Sequence, residues 1–200
     1  MKHPSVRALF DYWDQRRGRR RAPERGDIEP AAIRHVLADT FLLSFEPRMG
    51  HPFRLAGTRV CALFGRELKG EAFLDLWPAL GRNEIGDLLS IVAHESVGVV
   101  ASVSGASTAG TTQTLELLAL PLSHHGQSDA RLLGALAPSE PPAWLEAGAL
   151  VDLRLGTHRY VGPQVAGGPA PRAGSLTTMG PLAAAGKARH GFVVYDGGQP

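Results

Sequence analysis

The chain has one cysteine, Cys61, in 200 residues. A lone thiol excludes an internal disulfide and a thiolate-rich zinc site. No apolar run reaches the roughly 20 residues that carry a helix across a bilayer. The opening "MKHPSVRALFDYWDQRRG" has no apolar signal core and mixes acids with its bases, so a cytoplasmic protein is expected. Catalytic signatures are missing as well. There is no HExxH, no GxSxG elbow and no carboxylate pair spaced for acid–base work. "GASTAGTT" (Gly105 to Thr112) carries Thr111 where a phosphate loop needs lysine, and it joins two strands instead of opening a helix. No enzyme, no cofactor and no metal site is expected.

The charge is nearly balanced, with 21 bases against 19 acids. Five of those bases, Arg16, Arg17, Arg19, Arg20 and Arg21, form one cluster; without it the chain holds 16 bases against 19 acids. The pI near 9.0 therefore reflects a local cluster and not a basic surface, which argues against a nucleic-acid or membrane-surface partner. A polyanion adaptor working through Arg16 to Arg21 is the alternative, and salt-sensitive binding would mark it.

What is present reads as α+β. Ser5 is a candidate N-cap, and Val6, Leu9, Phe10 and Trp13 follow at helical spacing. This stripe must pack on its own sheet or on a second subunit, because so short a helix does not persist alone in water. A second helix is expected after "DIEP", with Pro30 in its first turn and Ile33, Val36 and Leu37 inward. "TFLLSFE" and "FRLAGTRV" read as a hairpin, "CALFGRELKG" and "EAFLDLWPALG" as short helical turns. "RNEIGDLLSIVAHE" is the clearest helix, with Ile85, Leu88, Leu89 and Val92 on one stripe. Three strand-like runs follow, joined by "GASTAG" and "HHGQSD". Consecutive strands with hairpin joints imply an antiparallel sheet with helices on one face. The expected organisation is an N-terminal helical extension (1–38), a five-stranded domain (39–138), an extension with a short strand (139–161) and a disordered tail (162–200). That tail holds 14 Gly or Pro in 39 residues, too little apolar surface to offset ordering entropy.

The passages "DYWDQRRG", "DIEP", "FLLSFE" and above all "FRLAGTRVCALFGRELKGEAFLDLW" resemble a PAS-type sensory domain. More closely, they are similar to a family of small alphaproteobacterial PAS-like proteins first catalogued as a domain of unknown function. The resemblance covers about Leu9 to Ala137. It implies a five-stranded antiparallel sheet roofed by small helices over a pocket, and a non-enzymatic sensor or interaction module that acts through a signalling partner or a homodimer. An enzyme using the pocket of a similar α+β fold is a further alternative, marked by a strongly shifted carboxylate or histidine.

Within that frame the pocket candidates are Leu55, Arg59, Phe64, Phe73, Trp77, Leu89 and Val92, and the interface candidates are Val6, Leu9, Phe10 and Trp13. Period 2 puts Phe53, Leu55, Gly57 and Arg59 on one face, where Arg59 either meets an anionic ligand or sits at the rim paired with an acid such as Glu67. Some relatives use a flavin-reactive cysteine, but the context of Cys61 differs and a small buried hydrophobe fits it better. Haem-binding relatives place a histidine on the long helix. His94 lies about half a turn from Ile85 at roughly 100° per residue, so it should face solvent. His124, His125 and Asp129 read as a solvated turn.

Overall fold

A computed structural model of the chain describes residues 1–124, 127–139 and 148–162. The expected tail from Gly162 onward and the His125 turn thus lie outside the described residues, Gly162 itself excepted. Met1–Gln164 forms one compact unit.

Its first helix, α1 (Pro4–Arg17), begins one residue before the expected cap. His3 takes that position and accepts the Ser5 N–H on Nδ1 at 3.2 Å. The chain leaves α1 at Gly18, with Arg16 and Arg17 in the last turn where cations suit the helix dipole. The helix expected after "DIEP" is replaced by two short 3-10 segments, Pro30–Ile33 and Leu37–Asp39. Ile33 and Val36 are still buried, so the apolar spacing secured burial without a continuous helix.

β1 (Thr40–Ser44) and β2 (Phe53–Ala56) form the expected hairpin around a turn at Pro47–Met49. The second strand stops earlier than its pattern suggests, and α2 (Thr58–Phe64) starts at once. Gly57 sits at that junction because nothing larger fits. A Cβ there would stand 2.1 Å from the Leu37 carbonyl oxygen and 2.4 Å from that of Ala38. After a 3-10 turn (Phe73–Leu76), α3 (Ala79–Glu95) buries the predicted Ile85, Leu88, Leu89 and Val92. Each such burial contributes about 1.5–3 kcal/mol.

β3 (Gly98–Ser107), β4 (Thr112–His124), β5 (Gln127–Pro138) and β6 (Leu150–Val161) complete the sheet. Among the described residues it has six antiparallel strands in the order β2-β1-β5-β4-β3-β6. The expected count of five is corrected by β6, a full 12-residue strand paired along β3. Its exposed positions are largely polar or charged, which hides it from a hydrophobic pattern.

The sheet is covered on both faces. Leu115, Leu117 and Ala119 of β4 join α2, α3 and the Phe73 turn in one core. Leu118, Leu120 and Leu122 join Val6, Leu9 and Trp13 of α1, with Ile28, Ile33 and Val36, in a second. Period 2 along β4 therefore feeds two cores from one strand.

Candidate functional site

The helix-side core is built around aromatic rings. Phe41 meets Phe53 edge-on at 5.8 Å and stacks on Phe73 at 5.6 Å; Phe73 lies 5.7 Å from Phe53 and 5.9 Å from Trp77. Phe64, Leu89 and Val92 close the same cluster, all buried. Five of the seven pocket candidates (Phe64, Phe73, Trp77, Leu89 and Val92) are thus brought together under the helices, where their rings and methyl groups fill the interior.

Leu55 and Arg59 do not join them. The β1–β2 register pairs Leu42 with Leu55 but Leu43 with Phe53, so a bulge inserts one residue at Arg54. Opposite residues share a face, and the bulge turns Leu55 away from Phe53. Leu55 is 47% exposed while Phe53 is buried. Arg59 lies on α2, beyond the end of the strand, which corrects the period-2 reading for both residues.

Arg59 has a different acid from the one expected. Its Nε and Nη2 donate to the two carboxylate oxygens of Asp39 at 2.6 and 2.5 Å. Asp39 is almost wholly buried. Burial pushes its carboxyl up, but the hydrogen bonds from Arg59 and Ser5 and the guanidinium charge outweigh this and hold it below the usual range. The pair pins α2 to the segment preceding β1. Glu67 instead accepts from the Cys61 thiol, Sγ to Oε1 3.5 Å. Cys61 is partly buried against the core, and burial, reinforced by the Glu67 charge, pushes its thiol up. A protonated thiol is a poor nucleophile.

His94 is exposed on α3, as its phase predicted. It touches the rim of the core, edge-on to Phe45 at 5.3 Å, and Phe45 stacks on His51 at 5.1 Å. No motif or spacing marks His51, which is buried at φ +59° in the turn before β2. Burial pushes its imidazole down, with Glu46 opposing. Among the described residues three buried side-chain polar atoms have no hydrogen-bond partner: His51 Nδ1, Trp77 Nε1 and Ser96 Oγ. Such groups are few in native proteins, and each costs about 1–3 kcal/mol.

The α1 residues nominated as an interface pack inward within the same chain. Val6, Leu9 and Trp13 are closed off from solvent and Phe10 is partly so. Trp13 Nε1 donates to the Pro121 carbonyl at 2.8 Å. Beyond this core the second face opens into a shallow depression of about 290 Å³, lined in part by Lys2, Ser102, Thr114, Glu116 and Arg159. Glu116 accepts the backbone N–H groups of Lys2 and His3 at 2.7–2.9 Å, tethering the start of α1 to β4.

The arginine cluster is largely neutralised. Arg17 meets Asp14 at 2.6 Å, Arg20 meets Asp27 at 2.7 Å and Arg16 meets Glu29 at 3.3 Å. Among the described residues no group of three His, Cys, Asp or Glu side chains is placed to hold a metal ion. No described helix is long and apolar enough to cross a membrane.

A family model described as a PAS domain matches residues 1–137. No curated protein matches the chain. Among solved structures it is similar to the PAS domain of an HTR-like protein from Haloarcula marismortui, at 14% identity and TM-score 0.40 over 54% of this chain and 90% of that one. It is also similar to a LOV protein of Rhodobacter sphaeroides, at 15% identity and TM-score 0.40 over 52% and 60%. An RNA-binding light-oxygen-voltage receptor matches at 15% identity and TM-score 0.43 over 55% of this chain, which spans 33% of that receptor.

Proposed function

The chain belongs to the PAS domain family, and from that premise we propose that it is a non-enzymatic interaction module of bacterial signalling, working in the cytoplasm as a homodimer and passing its output to a protein partner. The observation that carries this reading is the aromatic interior. Phe41, Phe53, Phe73 and Trp77 occupy the space between sheet and helices with one another's rings, so recognition falls to the surface. The ionisable groups near this interior support the same reading. Asp39 is committed to Arg59, Cys61 is held protonated, and His51 is held neutral without a partner on Nδ1. None is arranged as a nucleophile with its base.

Native mass spectrometry of the full chain purified from its own host tests the proposal. The expected result is a dimer mass with no small molecule attached. A stoichiometric ligand that Phe73→Ala releases would replace this reading with that of a pocket sensor.

A further inference from the structure

The sheet has two unlike edges. β2 is 4 residues long and interrupted by a bulge, whereas β6 runs for 12 residues with its outer side unpaired among the described residues. A long free edge offers a row of unsatisfied N–H and C=O groups and is a template for another strand. The α1 stripe is already spent on its own sheet. We propose that β6 pairs antiparallel with β6 of a second copy about a two-fold axis, joining the two sheets edge to edge. This inference rests on the homodimer part of the reading above and names its surface.

The charge pattern of β6 selects one register. Asp152, Arg154 and Arg159 pair with Ala106, Ser104 and Val100 of β3, so all three lie on one face. Between Ala101↔His158 and Val103↔Leu155 the register carries one extra residue, so Gly156 and Thr157 together face Ser102 and count as one position. A two-fold axis through Leu155 then sets Asp152 opposite Arg159 of the second copy, and Arg159 opposite its Asp152. Leu153 falls opposite His158. Asp152 pairs with Ala106 and Leu150 with Ser107, so Val151 is a second inserted residue and shares a position with Leu150. That position falls opposite Tyr160, where Val151 (51% exposed) and Tyr160 (38% exposed) make a β-branched and aromatic combination.

Neighbouring registers are worse. A slip of two residues in one direction puts Arg154 opposite Arg154, and in the other it puts Arg154 opposite Arg159. Like charges directly opposite are unfavourable. A slip of one residue sets the two faces against each other. A slip of four restores an opposite pair, Asp152 with Arg154, but leaves one end of each strand unpaired. Isologous symmetry doubles every contact, so each Asp152–Arg159 pair counts twice.

Sedimentation velocity of the full chain over a range of concentrations tests the pairing. The wild type should dimerise. Asp152→Arg and Arg159→Asp should each weaken the dimer by about tenfold or more, since two attractive pairs become two repulsive ones. Both side chains are exposed, so native-like circular dichroism and a cooperative unfolding transition should confirm that the variants fold. Mixing the two single variants should produce a heterodimer, because every charge then meets its opposite, and the double variant should self-associate as the wild type does. A monomeric wild type would overturn both this inference and the homodimer reading. A dimer unmoved by either reversal, or single variants that fail to associate when mixed, would overturn the edge pairing alone. Hydrogen exchange adds a further check: β6 amides protected in a monomer would show that another segment holds the edge, and would also overturn it.

Discussion

Trp13 and Trp77 lie on opposite faces of the same sheet, and both are closed off from solvent. Trp13 gives its N–H to the Pro121 carbonyl, while the N–H of Trp77 finds no acceptor. The two cores differ in the same sense. The fully buried residues of the α1 side are aliphatic apart from Trp13, whose indole N–H is satisfied. The helix side is aromatic and holds Trp77 without a partner. A satisfied buried donor marks a seam built for stability, and an orphaned one marks a place where stability has been given up. The contrast teaches that burial alone does not rank the two faces; polar satisfaction does.

The contrast can be broken at four points. The largest effect is expected at Phe73, which touches three other rings. Phe73→Ala should cost about 3–5 kcal/mol by denaturant unfolding, and a value near that of a surface change would show that the rings are not a working core. Next comes the pin between the faces. Asp39→Asn leaves Arg59 without its carboxylate and should cost about 2–3 kcal/mol, less than a fully buried pair because Arg59 is 46% exposed. The two tryptophans then give the sharpest comparison. Trp13→Phe abandons the Pro121 carbonyl and should cost about 1–2 kcal/mol beyond lost volume. Trp77→Phe removes an orphaned donor, so the lost polar group itself should cost nothing or return stability. Equal polar penalties at both sites would erase the distinction.

The smallest effect is a pH dependence. Burial lowers the His51 pKa from 6.5, so the unfolded chain takes up a proton before the folded one does. The stabilising contribution is complete above pH 6.5 and is lost as pH falls from there through the lower folded value. His51→Asn, whose side chain tolerates the same positive φ, should flatten the melting temperature over that range. A slope unchanged by the substitution would place the titration elsewhere.

Much of the fold could be read from periodicity. The stripe of α3 and the alternation of β4 predict their buried residues correctly, because both run uninterrupted through their elements. Period 2 failed at Leu55 and Arg59 because one inserted residue at Arg54 and an abrupt helix start after Gly57 reset the phase. Neither event leaves a hydrophobic signal. The Asp39–Arg59 pair spans 20 residues with no local motif, and the burial of His51 depends on Phe45 stacking over a turn. β6 was underestimated because an edge strand with one face only partly covered need not alternate strongly. The aromatic cluster itself was legible as a set of large apolar residues, but its division into core and pocket depends on ring positions that no spacing encodes.

The tether of α1 across the second face has a consequence in time. Trp13 and the Pro121 carbonyl that receives its N–H are separated by 108 residues. At the usual 5–20 residues per second, a ribosome releases Val6, Leu9 and Trp13 roughly 5 to 20 seconds before their strand exists. During that interval the apolar stripe has no native surface to cover it, and the nascent chain is open to non-native contacts until β4 emerges.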